Sequence, residues 1–341
     1  MIASPRDNPR RAMRVMVITN NLQQASFRLR IDALRRPLDQ RGIQLDIRVR
    51  PRGSLARRRL LRSAADFDAV ILQRKLLDPI DVRLLRKHSR KFFYDVDDAV
   101  MVHSRPVGPF QRWQTRRRFR AVARSVDLVV AGNNHLAHLF QCEGAPAMVL
   151  PTVVDPAHYA VKSHTLSDSP SLVWIGSRST LQYLEQFHEV LREAAARVPN
   201  LRLITIADEL LPDPPIPTEH VMWSEASESS ALIRGDIGIA PTPENPWTLG
   251  KCGFKIVQYM AAGLPAIASP VGANREIILL GETGYLPETP AQWCDAIAAL
   301  AENPAKRQQM GAAARGRAEE HYSLDRAAEF WAEQLSRDQV R

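Results

Sequence analysis

Short apolar runs alternate with longer amphipathic or basic stretches along almost all of this 341-residue chain. In the first half the runs are RVMVIT (14–19), IQLDIRV (43–49), AVILQ (69–73), KFFYDV (91–96), LVVAG (128–132) and AMVLP (147–151). Runs of this length and apolar content predict buried strands. The intervening SFRLRIDALRRPLDQRG and PFQRWQTRRRFRAVARS are long enough for crossover helices, so the pattern predicts a parallel, doubly wound sheet. PTVVDPAHYAVKSHTLSDSPS then interrupts it, rich in Pro and Ser and without periodicity. Afterwards the alternation restarts with LVWIG (172–176), LRLITIA (201–207), HVMWS (220–224), IGIAP (237–241), PAIAS (265–269) and GYLPE (284–288), predicting a second α/β domain. YSLDRAAEFWAEQLSRD (322–338) reads as a terminal helix, N-capped by Ser323, that straps the domains together. The expected division is a mobile tail at 1–12, a first domain at 13–160, a linker at 161–170, a second domain at 171–321 and the crossing helix at 322–341.

Length agrees with two cores, since single cores stop growing at roughly 250–300 residues. No apolar run approaches the roughly 18 residues of a membrane span, and the polar, Arg-rich start lacks the apolar core of a secretory signal, so a cytoplasmic location is expected. Cys142, Cys252 and Cys294 are odd in number and widely spaced, which predicts reduced thiols rather than disulfides or a zinc site. The net charge of +9 conceals an asymmetry, because residues 1–160 carry +16 and the remainder −7. A basic first half fits an anionic partner: lipid headgroups, nucleic acid or a phosphorylated substrate. No nucleic-acid recognition pattern accompanies it, so nucleic acid is not expected as a partner. RPRGSLARRRLLR (50–62) and RWQTRRRF (112–119) mix Arg with Leu, Trp and Phe, as suits an anionic membrane surface, with solvated helix faces as the ordinary alternative.

Open parallel sheets bind ligands beyond the carboxyl ends of their strands. GKCGFKIVQYMAAGLPAIASPVG (250–272) holds a helix, FKIVQYMAA, stopped by Gly263 and Pro265. Gly250 and Gly253 flank Lys251 at its start, where free N–H groups and the positive end of the helix dipole favour an anion such as phosphate. Lys255 and Gln258 share one face of this helix, and Phe254, Val257 and Ala261 share another suited to a core. In the first half, YDVDDAVMVHS clusters Asp95, Asp97, Asp98 and His103 at a strand end, open to sugar contacts, acid/base work or cation binding. After the first strand, Asn20, Ser26, Arg28 and Arg30 are candidates for the acceptor side. Asn133 or Asn134 reads as a helix N-cap, His135 and His138 as structural, and Asp155 as part of the hinge region.

PENPWTLGKCGFKIVQYMAAGLPAIASPVGANREII, followed by GETGYL, resembles the donor-binding segment of the family 4 glycosyltransferases of GT-B fold. LVWIGSRSTLQYLE, DVDDAV, LVVAGNNHLA with VLPTVVD, and ASFRLRIDAL continue the resemblance in order over nearly the whole chain. The resemblance implies two Rossmann-like domains facing a cleft, with a C-terminal helix packing back toward the first. It also implies transfer of a sugar from a UDP- or GDP-sugar to a hydroxyl of a glycan or lipid-linked acceptor, with retention and with no metal or other cofactor. By its pattern Arg178 and Lys255 hold the donor diphosphate, Gly176, Ser177, Thr180 and Lys251 adjoin it, and Gly272, Ala273, Asn274 and Glu276 lie near the sugar. The family's ribose-contacting Glu aligns with Gln258 and its sugar-proximal Glu with Gly250, two departures. Asp97 and Asp98, with His103, are implied at the reaction centre, and the donor phosphate itself accepts the acceptor proton. An epimerase or phosphorylase on the same architecture, and a catalytically silent partner subunit, are the alternatives.

Overall fold

The computed structural model describes residues 11–103 and 106–337, so most of the tail expected at 1–12 and residues 338–341 of the expected crossing helix lie outside the described residues. Each apolar run forms one strand. The first sheet holds β1 (Met13–Thr19), β2 (Ile43–Val49), β3 (Ala69–Gln73), β4 (Phe92–Val96), β5 (Leu128–Ala131) and β6 (Ala147–Val149), in the order β2-β1-β3-β4-β5-β6. The second holds β7 (Ser171–Ile175), β8 (Arg202–Ala207), β9 (Thr218–Met222), β10 (Ile237–Ala240), β11 (Ala266–Ala268) and β12 (Gly284–Tyr285), in the order β12-β11-β10-β7-β8-β9. Every pairing is parallel. β3, β4 and β7 are buried at every position, as their largely apolar runs predict, Asp95 of β4 included, whereas the edge strands β2 and β9 are partly exposed and fall short of the burial expected of them.

The first crossover departs from the expected single helix. It is a helix at Ala25–Arg30, a 3-10 turn at Asp32–Leu34 and a second helix at Arg35–Asp39. Ile31 leaves helical geometry (φ −123°, ψ −59°). Pro37 has no N–H and its ring clashes with the carbonyl four residues back, so it is accommodated only in the first turn of a restarted helix. The second basic segment is one helix, Pro109–Ala123, with proline at its first turn.

The terminal helix, Leu324–Ser336, lies on the first sheet although it follows the second. Its Ala327, Ala328, Trp331 and Leu335 join the core formed by Val15, Val17, Phe27 and Ile31, and Trp331 meets Phe93 edge-on at 5.9 Å. Large apolar side chains contribute about 1.5–3 kcal/mol apiece when buried, so this docking is a substantial tether. Ser323 occupies the N-cap position with extended backbone, but its side chain makes no capping bond. Its neighbours tie the two interdomain crossings together instead: Val154 N donates to Tyr322 O at 2.9 Å and Leu324 N to Val154 O at 3.0 Å.

Candidate active site

The segment after β10 bridges the two domains. Trp247 and Cys252 pack into the apolar core of the first domain. The Cys252 thiol donates to Asp97 O at 3.0 Å, and burial pushes its pKa up, so it behaves as an inert packing group. Asn133 has two tasks. Its Oδ1 accepts from Leu136 N at 2.8 Å, capping the Asn134–Gln141 helix, while its amide nitrogen donates to Leu249 O (3.2 Å) and Lys251 O (2.9 Å) of the second domain. Lys251 Nζ meets Asp98 Oδ1 at 2.9 Å. Further along the cleft, Arg28, expected on the acceptor side, pairs with Glu225 at 2.7 Å and lies 5.3 Å from the Trp223 ring centroid, so it links the domains.

In the second domain, Gly253 opens the Phe254–Ala261 helix with φ +62°, and a side chain there would meet both this left-handed backbone and Ile277. The helix is buried at Ile256–Ala261, so the expected division into a ligand face and a protein face gives way to one accessible end, its first turn. Lys255 occupies that turn. Its Nζ sits 4.4 Å from the ring centroid of buried Trp174, and among the described residues no carboxylate forms an ion pair with it. Burial, and then the charge of Lys251, push its pKa down to about 7. Gln258, expected beside Lys255 on the ligand face, is only 4% exposed and lies by the Tyr159 hydroxyl. That hydroxyl donates to Glu228 Oε1 at 2.5 Å, and Trp223 Nε1 donates to Glu228 Oε2 at 2.9 Å.

Gly176 has a steric role, since a Cβ there would stand 2.4 Å from the Trp174 ring that supports Lys255. Ser177 N donates to the Thr180 hydroxyl at 3.2 Å, fixing the turn that starts the Arg178–Glu185 helix. Arg178 does not join Lys255. Its side chain is 77% exposed and pairs with Glu209 at 3.1 Å, while its backbone N–H donates to Asp208 Oδ1 at 2.8 Å. An acidic loop after β8 thus holds the guanidinium that the resemblance assigns to the diphosphate. Gly272 packs against Leu249 O, Ala273 is buried, and Asn274 donates to Ser269 O at 2.9 Å, whereas Glu276 is exposed.

The acidic cluster divides in two. Asp95, 1% exposed, is held bidentately by Arg30, which is itself 3% exposed and also donates to Leu150 O at 2.8 Å. Arg30 is therefore removed from the acceptor contacts expected of it, because its donors are occupied inside the first domain. Asp97 and Asp98, beyond the end of β4, are gripped by Arg74, which lies 3.9 Å from Asp97 and pairs more tightly with Asp98. Burial pushes Asp97 up to about 6 although Arg30 and Arg74 favour its charge. His103 shares a 3.0 Å hydrogen bond with Thr115. Ser26 is buried and accepts from Arg74 at 3.3 Å, and Asn20 accepts from Arg50 at 3.0 Å. Arg74, Asn133 and Trp174 are the site residues that the sequence reading missed. A basic residue directly after the buried AVILQ strand was the available signal for Arg74.

Two parallel six-stranded sheets, joined by a helix that returns to the first, define a GT-B fold. Solved structures agree. HepE of Anabaena, determined with UDP and glucose, has a TM-score of 0.70 at 16% identity, covering 95% of this chain and 99% of that one. Sucrose-phosphate synthase of Thermosynechococcus elongatus has a TM-score of 0.70 at 14% identity, covering 94% and 98%. Residues 169–303, within the second domain, match the family described as Glycosyl transferases group 1. Among curated proteins, spore coat protein SA of Bacillus subtilis is 40% identical over 75 residues, 21% of this chain and 20% of that protein. Glycogen synthase of Mycobacterium tuberculosis is 25% identical over 257 residues, 66% of this chain and 59% of that protein. The chain thus spans a fifth to about three fifths of the curated relatives it matches. No helix is long and apolar enough to cross a membrane, among the described residues.

Proposed function

We propose that this chain transfers a sugar, with retention and without a metal, from a UDP- or GDP-sugar to a hydroxyl of a glycan or lipid-linked acceptor. The observation that carries this reading is Lys255: a cation lacking a carboxylate partner, set in the first turn of a glycine-started helix and crowded by a second lysine. Such a group is poised for an anion, which would restore its proton and restrain its charge. The donor diphosphate would rest against the first-turn N–H groups and Lys255, with Arg178 leaving Glu209 to join it. The UDP found in HepE supports a nucleoside diphosphate here.

As the bond from the sugar anomeric carbon to the diphosphate oxygen breaks, negative charge grows on that oxygen, and fixed cations lower the barrier. The acceptor oxygen bonds to the same face of the anomeric carbon, and its proton passes to the departing phosphate oxygen. Asp97 accepts a hydrogen bond from the reacting sugar or acceptor hydroxyl, so the protein's part is mainly positioning. The sugar-contacting wall falls to the backbone of Gly272–Asn274, because Gly250 supplies no side chain. One observation favours a second reading, a silent partner subunit: the Gly250 position faces Ala99 with no room for the glutamate of the family pattern.

The membrane role belongs to the Pro109–Ala123 helix. Its exposed Phe110 and Trp113 stack at 5.9 Å and Arg117 lies 5.4 Å from the Trp113 ring, a pairing suited to the interface of an anionic cytoplasmic membrane face. The deciding experiment incubates the protein with a panel of UDP- and GDP-sugars and follows donor consumption and product anomer by NMR. Consumption of one donor with the anomeric configuration kept is expected. Nucleotide binding with no turnover would favour the silent subunit, and absence of any nucleotide binding would end both readings.

A further inference from the structure

A cavity of 360 Å³ opens at the carboxyl ends of β1, β3 and β4 in the first domain, lined by the same Arg74 that pairs with Asp98. Its lining has a distinctive chemistry. Three cations, Arg74, Lys75 and Arg118, line it, no Asp or Glu does so among the described residues, and Asn20, Gln24 and Gln114 are among five carboxamide side chains in the wall. Amides of this kind donate to and accept from hydroxyl groups, whereas three cations without a lining carboxylate call for an anion.

The cations are not equally committed. Arg74 is paired with Asp98, and Arg118 with Asp78 at 2.8 Å. Lys75 has no ion-pair partner among the described residues. Lys75 is an exposed residue whose pKa is lowered by partial desolvation and by the neighbouring charges of Arg50 and Arg118, against which Asp78 gives only partial relief. The backbone is strained to present this pair. Arg74 adopts φ +58°, a left-handed conformation that is strained for a residue other than glycine. It is clamped there by Arg74 N to Asp95 O at 2.7 Å and by the Tyr94 hydroxyl to Arg74 O at 2.8 Å. The turn sends two successive cations off the end of one strand, toward a wall of amides on neighbouring elements.

We infer that this cavity binds a hydroxylated acceptor carrying a phosphate group, the phosphate against Lys75, Arg74 and Arg118 and the hydroxyls against the amides. The inference rests on the transferase reading only in calling the ligand an acceptor; anion binding stands without it. Arg74 then serves both partners, touching the acceptor phosphate and orienting Asp97 and Asp98. The phosphate belongs either to a free sugar phosphate or to a lipid headgroup.

The test titrates glucose 6-phosphate, glucose and glucuronate into the full chain by calorimetry, with UDP as a separate titration. Sedimentation with phosphatidylcholine vesicles, with and without phosphatidylglycerol, forms the lipid arm. Glucose 6-phosphate is expected to bind at least tenfold more tightly than glucose. Lys75→Gln and Arg118→Gln should each reduce that binding roughly tenfold, as loss of a charge-assisted contact requires, with UDP affinity unchanged. Vesicle binding that needs phosphatidylglycerol and Lys75, without binding of the free sugar phosphate, supports the same site with a lipid source. Equal affinity for glucose 6-phosphate and glucuronate overturns the choice of phosphate. Indifference of both ligand arms to both substitutions overturns the site. If glucose 6-phosphate binds as expected but no nucleotide-sugar is consumed, the anion site survives and the transferase reading fails.

Discussion

Gly250 of the second domain and Ala99 of the first are in direct backbone-level contact: a Cβ on Gly250 would stand 2.5 Å from Ala99 Cβ and 2.9 Å from Ala99 N. The absence of a side chain at this place lets the segment after β10 close onto the segment after β4. Overpacking of this kind costs about 1–3 kcal/mol when neighbours cannot move. Gly250→Ala should therefore lower the melting temperature or open the cleft, seen as a larger radius of gyration in solution scattering. Gly250→Glu, which restores the residue of the family pattern, is expected to impair the protein rather than improve turnover. A fully active, equally compact Gly250→Glu would show that Ala99 yields readily.

Lys255 predicts a proton signature. With its folded pKa near 7 and an unfolded value near 10.4, the folded chain holds fewer protons between those limits, so this group's contribution to stability rises with pH across the window. A bound diphosphate reverses the shift. UDP binding at pH 8 should take up a proton, measured as heats that differ between buffers of different ionisation enthalpy. Affinity should weaken as pH climbs above 7. Lys255→Met should abolish the uptake and weaken UDP by about 10- to 100-fold, the range for a hydrogen bond to a charged group. Buffer-independent heats in the wild type would remove Lys255 from the diphosphate.

Asp97 runs in the opposite sense. Its pKa is raised to about 6, so the folded chain holds the extra proton between roughly 3.9 and 6, and the associated stability is lost as pH rises through 6. Turnover that needs the ionised carboxylate should fall below pH 6. Asp97→Asn should flatten this acidic limb and reduce kcat by roughly 100-fold, the scale of a misplaced reacting group, while UDP affinity stays within a factor of two or so. Loss confined to UDP binding would place Asp97 on the donor side.

The proposed neutralisation of the diphosphate by Lys255 and Arg178 predicts indifference to chelators. Turnover after treatment with EDTA should equal that of untreated protein, and added magnesium should not raise it. A requirement for divalent ions would transfer the electrostatic role away from these side chains.

The Phe110–Trp113 stack predicts sensitivity to lipid charge. Binding to vesicles containing phosphatidylglycerol should weaken with salt, since exposed charges are screened over about 8 Å at physiological ionic strength. The double substitution Phe110→Ser and Trp113→Ser should reduce it further. Salt-insensitive binding, or none in the wild type, would leave the helix as an ordinary solvated face.

The strands were legible because a parallel sheet covered on both sides demands largely apolar runs, and VMVI, AVIL and LVWI announce them directly. The first crossover was less so, since the effect of Pro37 on helix continuity outweighs a favourable periodicity. Lys255 was visible from the glycines before its helix. Arg74, Asn133 and Trp174 were not, because their roles arise from approaches between residues far apart in the chain. Grouping Asp95 with Asp97 and Asp98 by adjacency missed the end of β4 at Val96, where the chain turns and one carboxylate stays inside with Arg30 while the other two enter the seam.

The ladder between Val154 and the Tyr322–Leu324 segment fastens both polypeptide crossings side by side. Two linkers pinned to each other at one bridge cannot slide past one another at that point, so any swing of the lobes has to bend about it. Loss of the final helix would thus do more than fray a terminus: it would free one crossing and turn a directed closure into a loose tumble.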